Sequence, residues 1–76
     1  MKSVKVNINS IDKVKKFVNT LTKYDGNFDL VSGRYVIDAK SIMGIFSLDL
    51  SQDIELVLQG DGNDEVLKAI DEFVVK

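Results

Sequence analysis

Two serines, Ser10 and Ser41, each precede an apolar run with helical spacing, and they come nearest to chemistry in a chain of 76 residues without histidine or cysteine. Imidazole titrates near neutral pH and accepts protons or phosphoryl groups there, and a thiolate is a ready nucleophile. A serine hydroxyl attacks only when a neighbouring base activates it. With no imidazole to serve as that base, both serines read first as helix N-caps, whose hydroxyl oxygen accepts from a free first-turn N–H. Asp61, Asp64 and Glu65 form an acidic cluster, but their spacing lacks the pattern of a calcium loop, and acids gather at helix starts for electrostatic reasons. Neither a metal nor any other cofactor is expected. Arg34 is the only arginine and lies beside a turn, which gives little support to an anion site on the sheet. No enzyme activity is expected from this set.

The elements that must position these serines follow from the periodicity. Val4, Val6 and Ile8 alternate with Lys5 and Asn7, the signature of a half-buried first strand over Val4–Ile8. A helix capped by Ser10 follows, with Ile11, Val14, Phe17, Val18 and Leu21 on its apolar face and Lys13, Lys16, Asn19 and Lys23 on the other. The lysine-rich face is read as solvated. Gly26, within Asp25-Gly26-Asn27, is expected to accept the positive φ that ends the helix. Phe28 to Val31 and Tyr35 to Ile37 read as a hairpin signalled by Ser32-Gly33. Ser41 then opens a short helix, kept short by Gly44. A strand over Ile54, Leu56 and Leu58 is closed by Gly60-Asp61-Gly62. Asn63 or Asp61 caps a last helix whose stripe is Val66, Leu67, Ile70, Phe73 and Val74. The order β-α-β-β-α-β-α predicts an α+β fold: a four-stranded, mostly antiparallel sheet with three helices on one face.

Length and composition bound the rest. A chain this short buries only ~60% of its unfolded surface, so one domain over residues 1–76 is the expectation. Hydrophobic residues at 45% and charged residues at 29% make it globular rather than disordered. Ten basic against twelve acidic side chains give a net charge of −2, which argues against a nucleic-acid binder. No stretch reads as an export signal or a membrane span, so a cytoplasmic protein without a membrane partner is expected.

The run Lys40-Ser41-Ile42-Met43-Gly44-Ile45-Phe46-Ser47-Leu48 closely resembles HPr, the histidine phosphocarrier of the bacterial sugar phosphotransferase system, and its regulatory relatives. The similarity runs back through Thr22-Lys23-Tyr24-Asp25 and forward through the turn from Gly60 to Glu65 and the last helix. It implies the family's open-faced β-sandwich. It also implies a phosphoryl-accepting histidine at the start of the first helix, followed by an arginine and a proline. Counted back from Thr22 without a gap, those positions hold Ser10, Asp12 and Lys13, after a loop about two residues shorter than the family's. A carboxylate in place of a cation repels an incoming phosphoryl group, by about 1 kcal/mol per charge pair at ~4 Å in bulk water. Carrier activity is therefore expected to be absent.

The resemblance also places Ser41 at the serine that a dedicated kinase phosphorylates in many relatives. A phosphate there would add about −1.5 to −2 charges beside Ile42, Met43 and Phe46 without unfolding the domain. The family docks partners through this region, and a short helix cannot bury all its apolar residues. Ile42, Met43 and Phe46 are expected to dock, and Ile45 and Leu48 to fill the core. The implied partners are proteins: other phosphotransferase-system components, a serine kinase or a transcriptional regulator, met by a monomer or weak homo-oligomer. A structural or oligomer-forming domain that keeps only the fold is the alternative. A small-molecule sensor using the open sheet face is a weaker third reading.

Overall fold

The computed structural model describes residues 2–60 and 63–75. Four strands, β1 (Lys2–Val6), β2 (Phe28–Ser32), β3 (Tyr35–Asp38) and β4 (Ile54–Leu58), form one sheet in the order β1-β4-β2-β3, with every pairing antiparallel. Three helices, α1 (Ile11–Leu21), α2 (Ile42–Ile45) and α3 (Asp64–Ala69), accompany it. The α+β architecture read from the periodicity is the one observed. None of the described helices is long and apolar enough to cross a membrane.

Register follows from alternation, because a slip by one residue would move every apolar side chain to the wrong face. Val4, Leu56, Leu30 and Ile37 lie in one cross-strand row, and Val6 pairs with Ile54. Against this face α1 buries Val14, Phe17, Val18 and Leu21, and α3 buries Val66. Each such side chain, once taken from water, contributes roughly 1.5–3 kcal/mol before entropy is counted. The opposite face carries Ser3, Lys5, Asp29, Val31, Val36, Glu55 and Val57 and has no helix on it. A two-residue loop, Gly33-Arg34, joins β2 to β3, with Gly33 at φ 59°, a conformation that suits the twist of a hairpin.

Several local expectations are corrected. The first strand begins and ends two residues earlier than its pattern indicates; Ile8 is buried, but beyond the ladder. Helix α1 closes at Thr22 in right-handed geometry, so Gly26, at φ 126°, shapes the following loop instead of capping the helix. Asn63 occupies the start of α3 without capping it; its amide donates back to the carbonyls of Gln59 and Gly60 at 3.4 and 3.2 Å. The other capping candidate, Asp61, and Gly62 lie outside the described residues.

The last helix is also shorter than its stripe. After Ala69 the chain tightens into a 3-10 turn, Asp71–Phe73, and Val74 pairs with Val6. Phe73 sets its ring edge-on to Phe17 at 5.5 Å and 88°. Lys16 meets Glu72 at 3.0 Å, and backbone bonds of 2.8 Å run from Asn7 N to Phe73 O and from Val75 N to Lys5 O. These contacts draw Phe73 and Val74 out of helical geometry, which local propensity alone does not anticipate.

Candidate functional site

Ser10 is extended at φ −144° and ψ 157°, and its Oγ accepts from the Lys13 amide at 3.1 Å. It caps α1 as its position suggests. Asp12 and Lys13 follow on the exposed first turn, and neither enters an ion pair among the described residues. At the position that the resemblance assigns to the phosphoacceptor there is thus a hydroxyl engaged as a cap, with a carboxylate two residues on.

Ile11 differs from its sequence assignment. Although it belongs to the α1 stripe by spacing, it is 62% exposed, whereas Val14, one turn on, is fully buried. The first turn overhangs the core, and an apolar side chain stands in water between Ser10 and Asp12. The signal was available: Ile11 immediately follows the cap, where a helix has not yet reached the sheet.

Ser41 caps α2 in the same way, with Oγ accepting from the Gly44 amide at 3.3 Å. Its helix is four residues long, and its first turn contains no charge. Ile45 and Leu48 are buried, Ile42 is partly buried against the core, Met43 is 80% exposed and Phe46 is 40% exposed. Gly44 has a packing role beyond shortening the helix. A Cβ built there would stand 2.6 Å from Cγ2 of Ile37, so only glycine lets α2 lie this close to β3.

Lys40, just before Ser41, was assigned no role by sequence reasoning. Its ammonium donates to the Tyr24 carbonyl at 2.7 Å and the Gly26 carbonyl at 3.4 Å, and lies 5.2 Å from the Phe28 ring centroid. One cation thus ties the loop after α1 to the entry of α2, an arrangement worth about 0.5–2 kcal/mol in its cation–π part. The two helices touch each other, and α2 also touches β3. Apolar side chains are exposed after each capped helix start, Ile11 after Ser10 and Met43 and Phe46 after Ser41. Among the described residues, no group of three or more acidic, histidine or cysteine side chains is placed to hold a metal.

Residues 5–76 match the family model described as the PTS HPr component phosphorylation site. The crystal structure of HPr-C-His from Thermoanaerobacter tengcongensis superposes with a TM-score of 0.79 at 32% identity, over 95% of this chain and 89% of that one. A phosphocarrier protein HPr from Bacillus anthracis str. Ames is similar at 25% identity and a TM-score of 0.72, over 97% of this chain and 94% of that one. A family match spanning nearly all of the described residues, on a fold that these two structures share, makes this chain a member of the HPr family of the phosphotransferase system.

Proposed function

We propose that this HPr-family protein acts as one HPr-like domain over residues 1–76 that binds protein partners and does not carry phosphate on histidine. In this reading Ile42, Met43 and Phe46 dock the partner and phosphorylation of Ser41 regulates docking. The observation that carries the proposal is the combination at the two helix starts. The α2 motif is intact and displays Met43 and Phe46, while the phosphoacceptor position holds Ser10 in a chain with no histidine anywhere.

The chemistry agrees with that division. An imidazole nitrogen gives a labile phosphoramidate that can be passed on, whereas a serine hydroxyl needs a base and gives a more inert ester. No imidazole stands by to deprotonate Ser10, and Asp12 opposes an incoming anion. At Ser41 an inert ester is what a switch requires. It would place a dianion next to exposed Met43 and Phe46, disfavouring an apolar partner and favouring one that offers arginine.

The test is phosphoryl transfer from phosphorylated enzyme I, the family's donor, followed by intact-mass measurement. No mass gain is expected, and an acid-labile adduct of one phosphoryl group would refute the reading. With the family's serine kinase and ATP, one acid-stable phosphoryl group is expected, and Ser41→Ala should remove it. Persistence of the adduct in that variant would move the regulatory site elsewhere.

A further inference from the structure

The two edges of the sheet are treated differently. The outer edge of β1 is covered at its C-terminal end by Phe73 to Val75, through the bridge between Val74 and Val6 and the 2.8 Å bonds from Asn7 N to Phe73 O and from Val75 N to Lys5 O. Strand β3 ends the other side of the sheet, and no described strand pairs with its outer edge. Bare edges invite pairing with another chain, and proteins commonly cover or charge them.

Which backbone groups face outward follows from the hairpin register. Ala39 N donates to Phe28 O at 2.8 Å, so with antiparallel alternation the hydrogen-bonded pairs are Phe28/Ala39, Leu30/Ile37 and Ser32/Tyr35. The N–H and C=O of Val36 and Asp38 therefore point away from β2, where the Asp38 carbonyl already accepts from Ser41 N at 2.9 Å and the groups of Val36 remain for pairing. The side chains there are apolar in the middle and oppositely charged at the two ends: Arg34, then Tyr35 (67% exposed) and Val36 (65% exposed), then Asp38. Asp38 is directly opposite Asp29 on β2, a like-charge pair that a neighbouring cation would relieve.

We propose that β3 pairs antiparallel with β3 of a second copy of this chain, Val36 opposite Val36, to form a two-fold dimer whose sheet runs through both copies. This register is selected by the residues. It joins the outward groups of Val36 reciprocally, sets Tyr35 across from Ile37, and places each Arg34 against the other copy's Asp38 beside Asp29. The neighbouring two-fold registers, centred on Tyr35 or Ile37, would put Val36 against Arg34 or Asp38. A two-fold axis uses the same patch twice, so a strand with a cation at one end and an anion at the other complements itself only when antiparallel. The strand has four residues, so the association is weak, with Kd about 0.1–1 mM.

Sedimentation equilibrium tests this on the intact chain. A concentration-dependent dimer is expected. Arg34→Asp, which breaks no side-chain contact described in the monomer, should raise Kd about tenfold, as should Asp38→Arg, which also removes the 2.9 Å bond its carboxylate accepts from Lys40 N, and the double variant R34D/D38R should recover to within about threefold of the parent. Val36→Lys should abolish association. The fold of each variant is checked by circular dichroism, and an NMR dilution series on the unaltered chain should shift the Val36 amide with concentration even if a variant fails to fold. A chain that is monomeric at about 1 mM, a dimer indifferent to Arg34→Asp and Val36→Lys, or a double variant as weak as the singles would each overturn the proposal.

Discussion

Ser10 and Ser41 stand in the same relation to the helices they begin, and yet the two sites differ in everything around that shared cap. Ser10 opens an 11-residue helix that packs through four buried side chains, and charged Asp12 and Lys13 sit in its first turn. Ser41 opens a four-residue helix that packs through one, Ile45, and apolar side chains flank it. The first site is supported by a stable element and, in the proposed reading, lacks the residue types for phosphate relay. The second is a small platform held by contacts from outside itself: Lys40 at its entry, Ile37 beneath Gly44 and Ile45 in the core. A residue shared by two sites therefore says little about either, and the surrounding charge and packing decide what the hydroxyl can do.

If α2 is held from below, removing its anchor should have the largest effect. Ile45→Ala is expected to cost about 2–5 kcal/mol in urea unfolding, the range for a fully buried aliphatic residue, and a loss below about 1 kcal/mol would mean that α2 is held elsewhere. The charge difference between the sites can be measured by rebuilding the first one. Ser10→His alone should accept phosphoryl groups from enzyme I at least about tenfold more slowly than S10H/D12R, because the double variant exchanges a repulsive charge for an attractive one. Equal rates would remove Asp12 from the explanation.

Gly44→Ala comes next. Overpacking against Ile37 costs about 1–3 kcal/mol and the better helix former returns up to ~1, so a net loss of about 1 kcal/mol is expected in the same denaturation assay. The caps themselves should separate the two sites modestly. Ser10→Ala is expected to lose about 1 kcal/mol, and Ser41→Ala less, since the shorter helix depends more on tertiary packing than on its cap.

The smallest effect extends the comparison to α3, whose start lacks a side-chain cap. There Asp64 takes a hydrogen bond from Lys2 at 2.7 Å, and that bond, with the lysine's charge, holds its carboxyl below the usual value of 3.8. A depressed folded-state value stabilises the protein above the unfolded value and is lost as pH falls through the folded one. Lys2→Ala should therefore lower stability slightly at neutral pH, where the exposed pair is fully formed, and flatten the acid limb below about pH 4, so that variant and parent converge in acid.

The fold was legible because alternation and helical spacing are local. The strand Ile54–Leu58, the cap at Ser10 and the short helix after Ser41 each announce themselves within a few residues. What escaped depends on distant partners. Phe73 and Val74 continue a helical stripe in sequence, but Phe17 and Val6 draw them into a turn and a ladder. Ile11 obeys the stripe of α1 and still lies in water, because periodicity gives a direction and not the extent of the surface beneath. Asn63 looks like a cap, but its amide finds the carbonyls of Gln59 and Gly60 instead. At the site, residue types show that the chain offers no imidazole, whereas the strap made by Lys40 required knowing that Lys40 reaches Tyr24 and Phe28 across sixteen and twelve positions.

Strand β1 has a further consequence, for the order of events during synthesis. Its ladder partners are β4, Ile54–Leu58, on one side and Val74 with Val75 on the other, so as the nascent chain leaves the ribosome its first strand has no neighbour until residue 54 has emerged. The hairpin of β2 and β3 and the helix α1 can form early from nearby residues, but closure of the sheet waits for Ile54 and the residues after it. Contacts of such long sequence separation slow the search for the native state. Until then Val4 and Val6 remain without the strand that covers them in the native sheet.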